Sequence, residues 1–141
     1  KRLASTRIVL CASPGYLNKY GQPSNPANLA KHKVIGYSYW MGGDAWEFDG
    51  PEGPVNVKIH PWMSTNNGDT CRAVALAHQG IILQPTFLVG DDLATGRLVE
   101  ILPEYRSIDL GIYAVYPTRK HVAPKVRALV NFLEEKLSEL E

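Results

Sequence analysis

A helix followed by a buried strand is encoded in residues 66–85, whose sequence is NNGDTCRAVALAHQGIILQP. Residues 66–69 (Asn-Asn-Gly-Asp) are typical of a helix start, and Gly80 is typical of a helix end. Because the residues between them are small and apolar on most sides, we predict a helix that reaches about Gln79 and packs closely on a sheet. Residues 81–83 (Ile-Ile-Leu) predict a buried strand, which ends at Gln84.

Outward from this segment, short apolar strands alternate with helices in both directions. Towards the N-terminus, residues 8–12 predict a strand, and Ser13 and Pro14 predict the cap and first position of a helix. Towards the C-terminus, residues from Pro124 onwards carry large apolar side chains at helical spacing. Further strands are predicted at 34–39, 46–48, 55–59, 97–102 and 110–116, with turn formers at 49–54, an extended segment at 62–65 and a helix at 88–93. This order of elements predicts an α/β fold.

The composition excludes several classes of protein. Of the 141 residues, 45% are hydrophobic and 21% are charged, so the chain is neither disordered nor fibrous. The chain has 15 Lys plus Arg residues and 14 Asp plus Glu residues, which gives a net charge of +1. It therefore lacks the excess of positive charge that is typical of a nucleic-acid-binding surface. Two cysteines cannot form a disulfide framework, and no run approaches the roughly 18 apolar residues of a membrane-spanning helix.

A catalytic reading would rest on Cys71 and His78, which are seven residues apart on the predicted helix. At about 1.5 Å per residue they lie roughly 10 Å apart, too far for a nucleophile and its base. We interpret them as a buried thiol and a histidine near a helix end, and the neighbouring Asp91 and Asp92 as a solvated helix face. The remaining histidines form no metal-ligand set: His32, His60 and His121. The sequence therefore predicts no enzyme, no metal and no cofactor.

The start of the helix at residues 66–70 is a candidate binding site. Free N–H groups and the positive end of the helix dipole at this point favour a carboxylate or other anion. Asp69 argues partly the other way, because its own carboxylate is suited to occupy the dipole as a structural cap. Capping and ligand binding therefore both remain open from this segment alone.

Several segments, in this order and spacing, resemble the effector-binding domain of LysR-type transcriptional regulators. No single motif is decisive, but together they cover the chain from about Arg7 to Leu137. The segments that carry the resemblance are residues 13–17 (SPGYL), 66–69 (NNGD), 80–85 (GIILQP), 92–103 (DLATGRLVEILP), 113–117 (YAVYP) and 125–133 (KVRALVNFL).

The resemblance implies a regulatory domain that is similar to periplasmic binding proteins, with two α/β lobes, two crossover strands and a cleft between the lobes. Residues 1–141 would then be a fragment of that domain. About 14–108 would form the complete second lobe, 8–12 and 112–116 the crossover strands, and 124–140 the C-terminal helix of a first lobe that is only partly present. The family's N-terminal winged helix-turn-helix and its linker helix would lie outside this chain.

The function that the resemblance implies is sensing of a small-molecule effector by a cytoplasmic bacterial transcription regulator. DNA would be bound only through the absent winged helix-turn-helix, and no membrane contact is expected. Because the last helix carries an apolar stripe whose usual sheet is missing, we also expect a homo-oligomer through regulatory domains. The alternative interpretation is a solute-binding protein of a transporter, which shares the lobed architecture.

The expected ligand site lies where strand ends and a helix start converge, as in other open α/β lobes. Each residue alone is more typical of a turn or a cap, and the prediction rests on their combination. The predicted ligand-binding residues are Ser38 and Tyr39 at one strand end, Asn66, Asn67, Gly68 and Thr70 at the helix start, and Gln84 and Pro85 after the next strand.

Overall fold

The computed structural model describes residues 1–117 and 120–139. It confirms a mixed α/β architecture, with one short 3-10 helix at Pro26–Lys31. Within the described residues, none of the helices is both long enough and apolar enough to cross a membrane. The strands are β1 (Arg2–Ala12), β2 (Ile35–Tyr37), β3 (Ala45–Gly50), β4 (Gly53–Lys58), β5 (Met63–Thr65), β6 (Ile82–Pro85), β7 (Val99–Glu100) and β8 (Asp109–Tyr113), and the helices are α1 (Pro14–Tyr20), α2 (Gly68–Leu76), α3 (Thr86–Thr95) and α4 (Pro124–Ser138).

The chain divides into two compact units. The large unit is Ile8–Ile108, and the small unit combines Lys1–Arg7 with Asp109–Glu141. The lobe boundaries implied by the resemblance stay a prediction, because the division by contacts does not by itself identify either unit as a lobe of the family.

The sheet of the large unit is built around the second half of β1. In this half, β1 pairs antiparallel with β6 from Ile8 to Cys11, and with β7 at Cys11 and Ala12. A second, parallel pair is formed by β2 and β5, and an isolated parallel bridge joins Val34 to Ile81 directly before β2 and β6. β2 is buried at Ile35 and Gly36, whereas β5 is partly exposed.

The core of the large unit lies between this sheet and helices α2 and α3. Its members are fully or almost fully buried, as the small, apolar composition of α2 predicts. The two cysteines lie in it as free thiols. The cluster consists of Val9, Cys11, Ile35, Cys71, Ala75, Ile82, Val89 and Leu98.

The predicted hairpin is confirmed and forms a separate two-stranded sheet. β3 and β4 pair in register from Ala45–Lys58 to Gly50–Gly53, so the turn formers lie at its tip as expected. Trp46 and Phe48 are buried, whereas the intervening residues of β3 face outward. The backbone of Asp49 also exchanges two hydrogen bonds with that of Arg106, at 2.8 and 2.9 Å.

Two helix ends show how local sequence fixes the chain's direction. Ser13 caps α1 as predicted, since its Oγ accepts a hydrogen bond from the N–H of Tyr16 at 3.1 Å. The end of α2 differs from the prediction: the helix stops at Leu76, and His78 rather than Gly80 adopts the left-handed conformation, with φ 66°. His78 holds this conformation because its Nδ1 is hydrogen-bonded to Ser13 Oγ at 2.7 Å.

In the small unit, the first half of β1 pairs antiparallel with β8, from Arg7–Asp109 to Arg2–Tyr113, with a bulge near Arg2. The predicted strand at 110–116 is therefore shorter at its end, because residues 114–116 lie outside β8. The predicted helix at 124–140 is observed as α4, and Leu140 lies outside the described residues. Its stripe is unevenly covered: Val130 is 8% exposed and Leu129 is 56% exposed.

Candidate functional site

Three strands of the large unit end at the same edge. β2 and β5 run parallel, with Tyr37 opposite Thr65, and the parallel bridge between Val34 and Ile81 places the start of β6 beside β2. The residues that follow these strands therefore share one edge, which is where ligands bind in open α/β sheets. The segments that meet there are the loop after β2, the start of α2 and the end of β6.

Asn67 organises the start of α2. Its side-chain oxygen accepts hydrogen bonds from the N–H groups of Asp69 at 2.8 Å and Thr70 at 3.3 Å. Capping is therefore provided by Asn67 and not by Asp69, whose side chain is exposed in the first turn. Two N–H groups expected to be free for an anion are thus already satisfied. Among the described residues, the N–H of Gly68 has no partner, and it remains available at this helix end.

Gln84 lies against this helix start. It is 4% exposed, and its Oε1 would be 2.9 Å from a Cβ atom added at Gly68. A side chain at residue 68 would therefore push the Gln84 amide away from the helix start. Within the described part of the chain, the Gln84 amide forms no hydrogen bond. Its polar atoms are not fully shielded from solvent, so they are open to a ligand at this edge.

The other predicted site residues lie at the same edge but make fewer contacts. The N–H of Ser38 donates to the carbonyl of Thr65 at 2.9 Å, which fixes the loop after β2 beside the segment leading to α2. Tyr39 is 69% exposed and its ring meets that of Tyr37 edge to face, 5.8 Å between centroids. Asn66 is exposed, and Pro85 is the residue before α3. The structure thus brings Asn67, Gly68, Thr70 and Gln84 together most closely.

Thr65 is a member of this group that the sequence analysis did not single out. Its Oγ1 accepts a hydrogen bond from the N–H of Asn67 at 3.2 Å and so supports the cap. A hydroxyl residue two positions before a capping Asn was the only signal available in the sequence.

Asp92 corrects a prediction. It was interpreted as part of a solvated face, but its side chain is fully buried and is bound by two guanidinium groups. Arg72 binds both of its oxygens, at 2.5 and 2.8 Å, and Arg97 binds one at 2.8 Å. The hydrogen bonds from Arg72 hold the pKa of the Asp92 carboxyl below its usual value. This cluster joins α2 to α3 behind the candidate site.

The two cysteines have the properties of structural thiols. Burial, with the nearby charges of Asp92 and Glu100, raises the pKa of Cys11 to about 12, and burial also raises the pKa of Cys71. A thiol in such surroundings is a poor nucleophile because it does not ionise near neutral pH. His78 bonds to Ser13. The interpretation of Cys71 as a buried thiol is confirmed.

Comparison with known proteins gives one consistent family. The family described as "LysR substrate binding domain" matches residues 1–138. The chain is 32% identical over 133 residues to YhjC, an uncharacterised HTH-type transcriptional regulator of Escherichia coli K12, and 33% identical over 139 residues to the probable regulator SinR of Salmonella typhimurium. These matches cover 93% and 96% of this chain but 44% of each relative, so the chain spans less than half the length of the relatives it matches.

Solved structures agree. The CrgA regulatory domain of Neisseria meningitidis superimposes with a TM-score of 0.84 at 32% identity, over 97% of this chain and 68% of that one. Full-length AphB of Vibrio cholerae superimposes with a TM-score of 0.84 at 25% identity, over 96% of this chain and 46% of that one. The chain belongs to the LysR substrate-binding-domain family and has the periplasmic-binding-protein-like α/β fold of LysR regulatory domains.

Proposed function

We propose that this chain is the effector-sensing part of a LysR-type transcriptional regulator and binds a small molecule at the edge formed by β2, β5 and β6, without catalysing a reaction. The observation that carries the proposal is Gln84, a residue that is only 4% exposed and whose amide has no hydrogen-bond partner among the described residues beside the start of α2. Its polar atoms are not fully shielded from solvent, so a ligand at this edge can supply their hydrogen bonds.

The groups left free at this edge favour a ligand rich in oxygen acceptors. The Gly68 N–H, the Asn67 amide nitrogen and the Gln84 amide nitrogen are donors, and the Thr70 hydroxyl can donate or accept. The positive end of α2 adds an attraction for negative charge. We therefore assign the effector to the class of small carboxylates, with Ser38, Tyr39, Asn66 and Pro85 completing the predicted set.

Thermal unfolding of the chain in the presence of acetate, malonate, succinate and benzoate tests this proposal. We expect at least one carboxylate to raise the unfolding temperature, and Gln84→Met to abolish the rise. The variant itself should be no less stable than the parent, because an unpartnered amide is replaced by an apolar side chain of similar shape. Thr70→Val should weaken binding by about 1–3 kcal/mol if its hydroxyl contacts the ligand.

Gln79→Met is the matched control for this experiment, since Gln79 is an exposed glutamine whose amide donates a hydrogen bond to the carbonyl of Ala77. It should leave the carboxylate effect unchanged. Equal responses of the parent, Gln84→Met and Thr70→Val to every carboxylate would show that this edge is not the effector site.

The role in transcription concerns the whole protein and is part of the same proposal. It is supported by the relatives, which are named as HTH-type transcriptional regulators, and none of those cited above is a transporter component. A cytoplasmic location and DNA binding through a separate N-terminal winged helix-turn-helix follow from that role. Translating the gene upstream of Lys1 tests it: a winged helix-turn-helix is expected, whereas a signal peptide would favour the transporter alternative.

Association of regulatory domains into a homo-oligomer completes the proposal. It is supported by Leu129 and Phe132 of α4, which are 56% and 54% exposed. Large apolar side chains side by side on one helix are typical of surfaces that bind another protein. Light scattering at micromolar concentration should report a dimer, which Leu129→Glu should convert to a monomer; a monomeric parent chain would contradict the expectation.

A further inference from the structure

A second concave site lies on the large unit, away from the strand ends described above. It is a groove of about 300 Å³ between the hairpin β3–β4 and the segment 106–108. Val55 and Ile108 contribute apolar surface, and Ile108 is 39% exposed. None of the residues that line the groove belongs to the predicted effector site. Its volume is at the lower end of the range for ligand pockets, so it suits a small molecule.

Charged groups of both signs line this groove. Glu47 and Asp49 are outward-facing residues of β3, and Arg106 lies on the opposing segment. Among the described residues, none of these three side chains takes part in an ion pair, although Glu47 accepts a hydrogen bond from the Asn56 amide at 3.5 Å. A pocket that offers both an unpaired guanidinium and unpaired carboxylates is complementary to a ligand that carries both charges.

The backbone of β3 adds unsatisfied hydrogen-bonding groups at its outer edge. Asp49 uses the outer edge of β3 for its two hydrogen bonds with Arg106, and no other bridge extends this pairing in the described chain. Because alternate residues of a strand present their N–H and C=O to the same edge, those of Glu47 face that open edge. The Ser107 Oγ also has no hydrogen-bond partner among the described residues, but it is shielded from solvent and therefore from a ligand in the groove.

We propose that this groove binds a free α-amino acid with an apolar side chain. The ammonium group is held by Glu47, Asp49 and the Glu47 carbonyl, the carboxylate by Arg106, and the side chain rests on Val55 and Ile108. Each charged side chain that lines the groove then has a partner of the opposite charge. This site is independent of the proposed effector site.

An NMR titration of the ¹⁵N-labelled chain tests the inference with L-leucine and L-phenylalanine as probes. We expect shifts of the amides of Glu47 and Ser107, and none at residues 67–70 or Gln84. Leucinamide, which lacks the carboxylate, and N-acetyl-leucine, which lacks the ammonium, should each bind at least about tenfold more weakly than leucine. No shift with either amino acid, or equal binding of leucine and leucinamide, would overturn the proposal.

Variants separate this site from a structural effect. Ser107→Ala should leave both leucine binding and the unfolding temperature unchanged, because its shielded hydroxyl has no partner to lose and is not reached from the groove. Arg106→Gln should weaken leucine by about tenfold and leave leucinamide unchanged. Glu52→Gln at the hairpin tip is the matched control and should bind leucine like the parent. If Arg106→Gln binds leucine as tightly as the parent, the proposal is wrong.

Discussion

The two units of the chain differ in how completely their apolar residues are covered. Among the described residues, every buried apolar side chain except Val130 lies in the large unit. In the small unit, Tyr113 is 60% exposed and Val115 is 93% exposed. Both units nevertheless contain the strands or helices that their patterns predict. The local sequence pattern therefore determines where helices and strands form, whereas the burial of each apolar face depends on the part of the protein that packs against it.

The largest expected effect tests this difference with one matched pair of substitutions. Ile82→Ala removes a fully buried side chain from the core of the large unit and should destabilise the chain by about 2–5 kcal/mol. Leu129→Ala removes a side chain that is 56% exposed on α4 and, at concentrations low enough to keep the chain monomeric, should change stability by less than about 0.5 kcal/mol. Urea denaturation followed by circular dichroism measures both.

The contrast between the two units would be contradicted if the two substitutions lowered the free energy of unfolding equally. A large cost for Leu129→Ala that grows with protein concentration would mean that another copy of the chain covers this side chain in solution. A large cost that is independent of concentration would mean that Leu129 is buried within its own chain.

A smaller effect is expected from the ion cluster of the large unit. Asp92→Asn leaves two guanidinium groups without their carboxylate and should cost about 2–3 kcal/mol, since both arginines keep partial contact with solvent. Asp91→Asn is the control, because Asp91 is the exposed neighbour on the same helix and should be nearly silent. Equal stability of the two variants would mean that Asp92 is solvent-exposed, as the sequence predicted, and is not held by the two arginines.

The same cluster predicts an acid dependence. Because the pKa of Asp92 is lower in the folded than in the unfolded chain, the unfolded chain binds more protons as the pH falls below about 4. The stabilisation by Asp92 is therefore complete above that pH and decreases below it. The difference in unfolding free energy between the parent and Asp92→Asn should shrink as the pH is lowered from 5 to 3.

The smallest effect concerns His32. Burial lowers its pKa, and its Nδ1 lies 2.7 Å from the hydroxyl of Tyr16, which accepts a hydrogen bond from the N–H of Lys33. The hydroxyl therefore donates to a neutral His32, and stability should fall as the pH drops below about 6.5, where the unfolded histidine gains a proton first. His32→Asn should flatten this slope in denaturation curves at pH 7 and 5.5. The exposed His60, replaced by Asn, should leave it unchanged.

Most elements of the fold were predictable because their signals are local. Ser13 with Pro14 fixes the start of α1, and the turn formers at 49–54 fix the hairpin tip. The end of α2 was not predictable, because His78 replaces the expected glycine through a hydrogen bond to Ser13, 65 residues away in sequence. Contacts at such separations leave no periodic signal in a single sequence.

In the candidate site, too, contacts between residues that are distant in sequence could not be predicted. The convergence of residues 66–70 with Gln84 followed from the strand ends, but the close approach of the Gln84 amide to Gly68 required the tertiary structure. Asp92 was misjudged because helical spacing places it beside Asp91 without revealing Arg72 and Arg97. Which carboxylate is buried depends on partners that only packing brings together.

Arg7 and Asp109 are opposite one another on β1 and β8, and the chain leaves the small unit at the first and returns at the second. The Cα atoms of such partners lie about 4.5–5.5 Å apart. In terms of chain topology, the large unit is therefore an insertion in the loop of a β-hairpin, at the position that a two-residue turn would otherwise fill. An insertion with neighbouring ends can be excised, or grafted into another hairpin, without stretching its host.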